Sequence, residues 1–211
     1  MRSFYLCGAQ SVGKTTLIRE LNRRPELASL RIEVIDEVAR SLIKQDGIDL
    51  NVFQDYRNHQ EQFYQFNLKL VSRYLDMARQ DRLDDESSDR LKLYDRSGLD
   101  AVNYICTYLP HLSHRMLGEA AVQHLIDEYS SSSAFVSFIV MDPQAEFIEH
   151  DNVRLPPQLP ELQKYTENLK QLLEQRGIPR VDLPERDLDI RVQRVSELLL
   201  NRDGNGKELD D

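Results

Sequence analysis

The segment GAQSVGKT, from Gly8 to Thr15, constrains the fold of this 211-residue chain more than any other segment. It matches the pattern G-x-x-x-x-G-K-[ST] in full, it follows an apolar strand predicted over residues 2–7, and it opens a helix predicted over residues 14–23. The glycines allow a tight loop whose backbone N–H groups point inward at phosphate oxygens, and the helix adds its positive N-terminal end. A chance match in an ordinary strand–loop–helix turn is the alternative, but the context favours a phosphate-binding loop.

The side chains of this loop predict how a nucleoside triphosphate binds. We expect Lys14 to bridge the β- and γ-phosphates and the Thr15 hydroxyl to ligate Mg²⁺. The predicted nucleotide-binding residues are consecutive: Gly8, Ala9, Gln10, Ser11, Val12, Gly13, Lys14, Thr15 and Thr16. The predicted cofactors are therefore Mg²⁺ and ATP or GTP, and the sequence leaves the base open.

Strand and helix patterns alternate along the rest of the chain. The predicted strands are residues 2–7, 31–35, 91–94, 134–141 and 179–183, and the predicted helices are residues 14–23, 38–44, 54–80, 101–109, 113–129, 161–176 and 187–200. Near-continuous apolar strands separated by helices indicate a parallel sheet that is covered on both faces. We therefore predict an α/β fold, a P-loop NTPase three-layer sandwich with about five parallel strands and helices on both faces.

The same pattern divides the chain into one domain and a tail. Residues 1–200 are predicted to form a single P-loop kinase-like domain, with a lid-like segment at about 149–160. Residues 201–211 are predicted to be a polar flexible tail, and residues 81–89 a solvated loop.

The predicted helix over residues 54–80 is rich in aromatic residues. Most of the aromatic positions between Phe53 and Met77 recur at helical spacing, so we assign them to the core. Tyr56, His59 and Gln60 are the candidates for lining a substrate cleft.

Acidic residues follow several predicted strands, at the edge where parallel sheets bind ligands. They are Asp36 and Glu37 after the second strand, Asp95 after the third and Asp142 after the fourth. A P-loop protein needs a carboxylate to hold Mg²⁺ opposite the loop threonine, and Asp95 at a strand end suits this role. The alternative role of Asp95 is to cap the helix that begins near Ser97.

Asp36 and Glu37 are candidates for the base of a phosphoryl transfer. In small-molecule kinases a carboxylate at this position can accept the proton of the acceptor hydroxyl or hold sugar hydroxyls. Arg40 lies three residues after Glu37, so the two side chains face the same way on a helix. This pair is either a surface salt bridge or an anchor for an anionic substrate, and it favours Glu37 over Asp36 as the base. A solvated strand end remains the alternative for both carboxylates.

Two arginines are predicted to stabilise the charge of the transferring phosphoryl group. Arg96 lies at the ligand edge, where an arginine faces phosphate or substrate rather than bulk water. Arg154 lies in the segment HDNVR, where kinases with this sheet close a mobile lid, and a solvated loop arginine is the alternative. The predicted site therefore has catalytic residues Lys14, Asp36, Glu37, Asp95, Arg96 and Arg154, substrate contacts Glu37, Arg40 and Arg96, and metal ligands Thr15 and Asp95.

Composition and charge argue against several classes of protein. The formal net charge of −9 disfavours general binding to DNA or RNA backbones. No apolar stretch approaches the roughly 20 residues needed to cross a bilayer, and the loop at Gly8 begins too early to follow a signal peptide. Cys7 and Cys106 lack metal-ligand spacing and are typical of free thiols in a reducing compartment. We predict a cytoplasmic protein without nucleic-acid binding or stable membrane insertion, whose partners are a nucleoside triphosphate and a small-molecule acceptor.

Four segments together resemble one family. They are GAQSVGKTTL from Gly8, IDEVAR ending at Arg40, YDRSGLDAVNY around Asp95, and DNVR before a helix. They resemble the AAA-type P-loop domain in the nicotinamide-riboside-kinase portion of a bacterial NAD-salvage regulator and in its eukaryotic relatives. The resemblance extends over residues 2–200, and it implies that Glu37 and Arg40 lie at the acceptor side of the cleft and Asp95 beside the metal.

The motif DRS, Asp95 to Ser97, is also similar to the ERS signature of deoxyribonucleoside kinases, with aspartate in place of glutamate. In those kinases the arginine contacts the phosphate-accepting end of the substrate, which implies the same role for Arg96. Some eukaryotic relatives of the first family are GTP- and phosphoinositide-binding regulators of membrane traffic. The resemblance therefore implies the fold and leaves two kinds of activity open.

Three functions are consistent with these features. The first is an ATP- and Mg²⁺-dependent kinase for a small hydroxyl-bearing molecule such as a nucleoside, because acidic groups on both sides of the γ-phosphate suit transfer to an alcohol. The second is a nucleotide-binding regulator or GTPase-like switch, although the sequence has no N-K-x-D motif for base recognition. The third is an AAA+ remodelling ATPase, which needs a helical lid domain for which 211 residues leave little room.

Overall fold

The apolar strands pair into one parallel sheet. The computed structural model describes residues 2–83, 90–131, 136–145 and 158–201. The strands are β1 (Arg2–Cys7), β2 (Arg31–Ile35), β3 (Arg90–Asp95), β4 (Val136–Met141) and β5 (Arg180–Leu183). Their order across the sheet is β2-β3-β1-β4-β5, and each neighbouring pair is parallel. The end of β1 therefore lies at the centre of the sheet, between the ends of β3 and β4.

Helices connect the strands and cover both faces of the sheet. Within the described residues they are α1 (Lys14–Leu21), α2 (Val38–Asp46), α3 (Asn51–Gln54), α4 (Gln60–Leu83), α5 (Gly98–Tyr108), α6 (Ser113–Gly118), α7 (Ala120–Ser131), α8 (Leu159–Gln175) and α9 (Leu188–Leu200). Helix α1 packs against α9, α4 packs against α5 and α7, and α5 also packs against α8. The predicted α/β three-layer sandwich with a five-stranded parallel sheet is confirmed.

Two predicted helices are interrupted by a non-helical residue in the structure. The long helix begins at Gln60 rather than at residue 54, because Asp55 (φ −119°, ψ 46°) leaves the helical conformation after α3. The helix predicted over residues 113–129 is two helices, because Glu119 between them is extended (φ −64°, ψ 133°). Neither break carries a proline, so helical periodicity alone did not reveal it.

Helix α5 begins at Gly98, three residues before the predicted start. Ser97 and Asp100 form a capping box, in which each side chain accepts a hydrogen bond from the backbone N–H of the other residue. A Cβ on Gly98 would lie 2.4 Å from Leu125 Cδ2 and 2.9 Å from Tyr74 Cβ. The close approach of α4 and α7 thus requires a residue without a side chain here, and it fixes the start of α5 next to the end of β3.

The prediction of a solvated loop over residues 81–89 is wrong at Asp81. Helix α4 continues to Leu83, and the Asp81 carboxylate accepts hydrogen bonds from Ser3 Oγ (2.9 Å), Lys92 Nζ (2.6 Å) and the Tyr94 hydroxyl (2.5 Å). Asp81 therefore joins α4 to β1 and β3, whereas residues 84–89 lie outside the described residues. The run of acidic and polar residues in the sequence concealed this contact.

The predicted lid-like segment 149–160 and the predicted tail 201–211 fall mostly outside the described residues. Of these, the structure describes residues 158–160, where α8 begins, and residue 201, which follows α9. In the described ranges, no helix combines the length and the apolar character that crossing a membrane requires.

Candidate active site

Residues with positive φ shape the loop between β1 and α1. They are Gly8 (φ 130°), Ser11 (φ 57°) and Gly13 (φ 89°), and residues with a Cβ adopt such angles rarely. A Cβ on Gly8 would lie 2.7 Å from the carbonyl oxygen of Met141, because the loop passes close to the end of β4. Gly13 is the N-cap of α1, so the first helical turn begins directly at the loop.

Lys14 is buried at the start of α1, with its ammonium group turned onto the loop. Its Nζ donates hydrogen bonds to the carbonyl oxygens of Gly8 (3.0 Å) and Ala9 (2.6 Å). Burial and, secondly, the charge of Arg96 lower the pKa of Lys14 from 10.5 to about 7, against the opposing effect of Asp95. A triphosphate in the loop would favour the protonated form, as the predicted role of Lys14 requires.

Thr15 and Asp95, the two predicted metal ligands, contact each other. Thr15 Oγ1 donates to Asp95 Oδ2 over 3.2 Å, and Asp95 Oδ1 is buried without a hydrogen-bond partner among the described residues. Such an oxygen costs about 1–3 kcal/mol, which a bound cation would offset. Mg²⁺ fits these groups because proteins usually coordinate it with one or two carboxylates together with phosphate oxygens of the nucleotide. Ser97, not Asp95, caps α5, so the alternative role of Asp95 is wrong.

Within the ranges that the structure covers, no three acidic, histidine or cysteine side chains cluster as metal ligands. A metal at this edge would therefore depend on Thr15, Asp95 and the phosphates of a nucleotide. This ligand set is typical of Mg²⁺ in nucleotide sites rather than of a site built by protein side chains alone.

Glu37 holds two arginines at the N-terminus of α2. One carboxylate oxygen accepts a hydrogen bond from Arg96 Nε (2.9 Å), and the other accepts one from Arg40 Nε (2.8 Å). The side chains of Glu37 and Arg96 are only 11% and 6% exposed, whereas that of Arg40 is 65% exposed. The salt bridge predicted between Glu37 and Arg40 is therefore present. Asp36, the rival base, is exposed.

Arg96 points into the site from a strained backbone position. Its φ of 82° is left-handed, which costs a residue other than glycine about 1–3 kcal/mol. Its Nη1 donates to the carbonyl oxygen of Gly8 over 2.9 Å and lies 3.6 Å from Asp100 Oδ1. The guanidinium carbon lies 5.7 Å from the ring centre of Tyr104. The side chain thus faces the phosphate-binding loop rather than bulk water.

A cavity of about 290 Å³ opens beside the phosphate-binding loop. Its polar lining comprises Gln10, Glu37, Arg40, Asn67, Arg96, Ser97 and Asp100. Its aromatic lining comprises Phe53, Tyr56, Phe63, Phe66, Tyr74, Tyr104 and Tyr108. Several of these rings also contact each other, so the aromatic residues that the sequence assigned to the core form the wall of a cavity as well.

The three cleft candidates of the long aromatic segment differ in their positions. Tyr56 lines the cavity. Gln60 and His59 do not, because the side chain of Gln60 contacts His111 and that of His59 contacts Gln62. The sequence did not predict the turn between α3 and α4, which makes Tyr56 face the cavity and turns His59 and Gln60 away from it.

Two residues without a predicted role also line the cavity. Asn67 on α4 is 3% exposed, and its amide nitrogen donates to the carbonyl oxygen of Phe63 over 2.8 Å, which leaves its amide oxygen as an acceptor. Asp100 accepts hydrogen bonds from the Gly8 N–H (3.2 Å) and the Tyr165 hydroxyl (3.1 Å). The sequence signals were an asparagine within an apolar helical face and the S-x-x-D pattern of a capping box.

The remaining predicted residues lie elsewhere. Asp142 follows β4 as predicted, but its carboxylate forms an ion pair with Lys170 Nζ of α8 over 2.8 Å and does not line the cavity. Arg154 lies outside the described residues, so its role in a lid stays a prediction.

Known proteins share this sequence pattern and this fold. The family model AAA_28, described as an AAA domain, matches residues 3–191. NadR protein in complex with NR superposes with a TM-score of 0.61 at 19% identity, over 93% of this chain and 50% of that chain. NadR in complex with NAD and AMP-PNP gives 0.56 at 19%, over 93% and 49%. Deoxyadenosine kinase from M. mycoides with bound dATP gives 0.59 at 12%, over 94% and 99%.

The similarity covers nearly all of this chain but only part of some of the solved structures. The chain spans about half the length of the NadR chains that it matches. No curated protein matches the chain significantly. The resemblance predicted from the four sequence segments is confirmed, and the chain shares its fold with these solved structures.

Proposed function

The chain belongs to this AAA domain family, and on that premise we propose that it transfers the γ-phosphoryl group of ATP, with Mg²⁺, to a hydroxyl group of a nucleoside-like small molecule. One observation carries the proposal: an aromatic cavity of about 290 Å³ meets the phosphate-binding loop at Glu37 and Arg96. A protein that only binds or hydrolyses a nucleotide needs the loop but not a second cavity beside it. A kinase needs both, because donor and acceptor must bind side by side.

The donor half of the proposed site is the phosphate-binding loop and the end of β3. Residues 8–16 would hold the phosphates, with Lys14 at the β- and γ-phosphates. Thr15 and Asp95 would hold Mg²⁺, which when bound neutralises negative charge on the phosphate oxygens. The unpartnered Asp95 Oδ1 supports this assignment, since a cation would satisfy it.

The acceptor half of the proposed site is the aromatic cavity. Its volume lies near the lower end of the range for small-molecule pockets, about 300–1,000 Å³, which suits one ring-bearing metabolite. Flat rings would stack between side chains such as Tyr56, Phe63 and Tyr104. The amide oxygen of Asn67 would accept a hydrogen bond from an N–H group of the ring or of its substituent.

The charged groups between the two halves would carry the transfer. An acceptor hydroxyl oxygen forms a bond with the γ-phosphorus while the bond between this phosphorus and the bridging oxygen of ADP breaks. The hydroxyl proton passes to the Glu37 carboxylate, and Arg96 stabilises the negative charge on the transferring group. Arg40 would contact the acceptor at the exposed side of Glu37, and Arg154 would add a second positive charge.

Acceptor-dependent product formation tests this function. Purified protein with Mg-ATP or Mg-GTP would be incubated with a panel of nucleosides that includes deoxyadenosine and nicotinamide riboside. We expect nucleoside diphosphate release that depends on one class of acceptor, together with a phosphorylated acceptor detected by mass spectrometry. Equal release without an acceptor would indicate a hydrolase or switch, and nucleotide binding without turnover would indicate a regulator. Either result would refute the proposed kinase activity.

A further inference from the structure

One buried arginine contacts three loops at the ligand edge of the sheet. Arg191 on α9 is 1% exposed. Its guanidinium donates hydrogen bonds to the carbonyl oxygens of Val12 (2.8 Å), Asp142 (3.1 Å) and Glu185 (2.5 Å). These oxygens belong to the phosphate-binding loop, the segment after β4 and the segment after β5. A side chain from α9 therefore links the phosphate-binding loop, 179 residues earlier in the sequence, to the segments after β4 and β5.

We propose that Arg191 is a positioning residue for the nucleotide, which fixes the phosphate-binding loop in its anion-binding conformation and places a positive charge behind it. In a trans peptide unit the C=O and N–H groups point in opposite directions. Because the Val12 carbonyl is directed at the buried guanidinium, the Gly13 N–H is directed away from it, towards the open side of the loop. Arg191 thus selects one orientation of the peptide unit that joins Val12 to Gly13.

The position of the guanidinium also gives it an electrostatic effect on phosphates. A Cβ on Gly13 would lie 3.8 Å from Arg191 Nη1, so the charge lies beneath the turn that opens α1. Burial lowers the pKa of Arg191 from its usual value, but an arginine side chain remains protonated in proteins. A charge that is shielded from water acts more strongly on a nearby anion than an exposed one. Arg191 therefore attracts a polyphosphate without contacting it.

The geometry requires arginine rather than another cation. The guanidinium is a planar fork with five N–H donors, and it can serve three carbonyl oxygens that lie in different directions. A lysine would keep the charge but present it as a single point on a flexible stem. Methionine would replace the aliphatic stem of the arginine and supply neither the charge nor the donors.

Nucleotide affinity in variants of Arg191 tests this role. The Kd values of MgATP and of AMP would be measured by calorimetry, without an acceptor, for the wild type, Arg191→Met and Arg191→Lys. The control is Arg194→Met, because Arg194 lies one turn further along α9, is 38% exposed and pairs with the Glu185 carboxylate. We expect Arg191→Met to weaken MgATP binding about 10- to 100-fold and AMP binding far less, since only MgATP extends along the whole loop. Arg191→Lys should recover part of the loss, and Arg194→Met should bind like the wild type.

Several outcomes would overturn the proposal. They are wild-type affinity for MgATP in Arg191→Met, an equal loss for MgATP and AMP, or an equal loss in the Arg194 control. If Arg191→Met does not fold, the test uses Arg191→Lys instead. A ratio of the Kd values of MgATP and AMP equal to that of the wild type would then show that Arg191 acts in folding alone. The measurement involves no acceptor, so a result against Arg191 would not affect the proposed phosphoryl transfer. A protein that does not transfer phosphoryl groups could still show the predicted role of Arg191.

Discussion

Replacing Glu37 by glutamine separates the role of a base from that of an anchor. Each carboxylate oxygen of Glu37 accepts a hydrogen bond from one arginine, Arg96 at 2.9 Å and Arg40 at 2.8 Å. A glutamine side chain keeps one acceptor oxygen and can retain only one of the two. Glutamine is neutral, so neither ion pair survives and only one hydrogen bond can remain. A buried guanidinium without an acceptor costs more than an exposed one, whose ion pair contributes only about 0–1 kcal/mol. We therefore expect Glu37→Gln to keep Arg96 in place and to release Arg40.

With Arg96 retained, the substitution removes proton acceptance from the acceptor hydroxyl. If Glu37 is the base, kcat for transfer should fall about 10²- to 10⁴-fold. The Kd of MgATP should change little, because Glu37 lies outside residues 8–16, which are predicted to bind the phosphates. Acceptor-dependent ADP release measures the first quantity, and titration with a fluorescent ATP analogue measures the second, since the chain has no tryptophan.

Two control variants complete the experiment. Arg40→Met removes the exposed pair alone and should raise the KM of the acceptor without lowering kcat. Asp36→Asn changes an exposed carboxylate outside the pair and should leave both constants unchanged. Wild-type transfer in Glu37→Gln would refute the reasoning, and loss of transfer in Asp36→Asn would move the base to Asp36.

Three further predictions test the packing, the metal site and the buried lysine. Gly98→Ala should lower the free energy of unfolding by about 1–3 kcal/mol, because its Cβ would lie 2.4 Å from Leu125 Cδ2. In the same urea titration Gly118→Ala, whose Cβ would meet nothing within 4 Å, should be neutral or stabilising. Asp95→Asn should raise the Mg²⁺ concentration that half-saturates turnover, and an unchanged Mg²⁺ dependence would exclude Asp95 as a ligand. Because the pKa of Lys14 is lowered to about 7, MgATP binding should take up protons at pH 8.5 and hardly any at pH 6. Calorimetry in two buffers of different ionisation enthalpy measures this uptake, and equal uptake at both pH values would contradict it.

The features that the sequence predicted well are local ones. The phosphate-binding loop is eight consecutive residues whose glycines, lysine and threonine act through their own backbone and side chains. The strands are short apolar runs, and the carboxyl ends of parallel strands must meet at one edge, so Glu37, Asp95 and Arg96 could be placed together without a structure. The capping box at Ser97 was equally local, and it would have corrected the predicted start of α5.

The residues that the sequence did not reveal act through contacts between distant elements. Arg191 follows an isoleucine in a helix of mixed polarity and looks like a solvated side chain, yet it is buried beneath a loop near the other end of the chain. Asp81 lies in an acidic run and is partly buried, with hydrogen bonds to β1 and β3. Asn67 interrupts an apolar face of α4. Its role as a cavity-lining residue is evident only once α2, α4 and α5 pack together and form the cavity. Helical periodicity identifies a buried face but cannot tell a packed core from the wall of a cavity.

The first glycine of the phosphate-binding loop joins the donor and acceptor halves of the proposed site. The Gly8 carbonyl oxygen accepts hydrogen bonds from Lys14 Nζ (3.0 Å) and Arg96 Nη1 (2.9 Å), and the Gly8 N–H donates to Asp100 (3.2 Å). When Lys14 turns to a phosphate, this carbonyl is left to Arg96, whose Nε holds Glu37. A nucleotide in the donor loop would therefore change the hydrogen bonding of Arg96 and, through Arg96, of Glu37, the two residues that would face the acceptor. The loop motif by itself indicates only a phosphate, whereas the hydrogen bonds of its first glycine connect that phosphate to the groups that would use it.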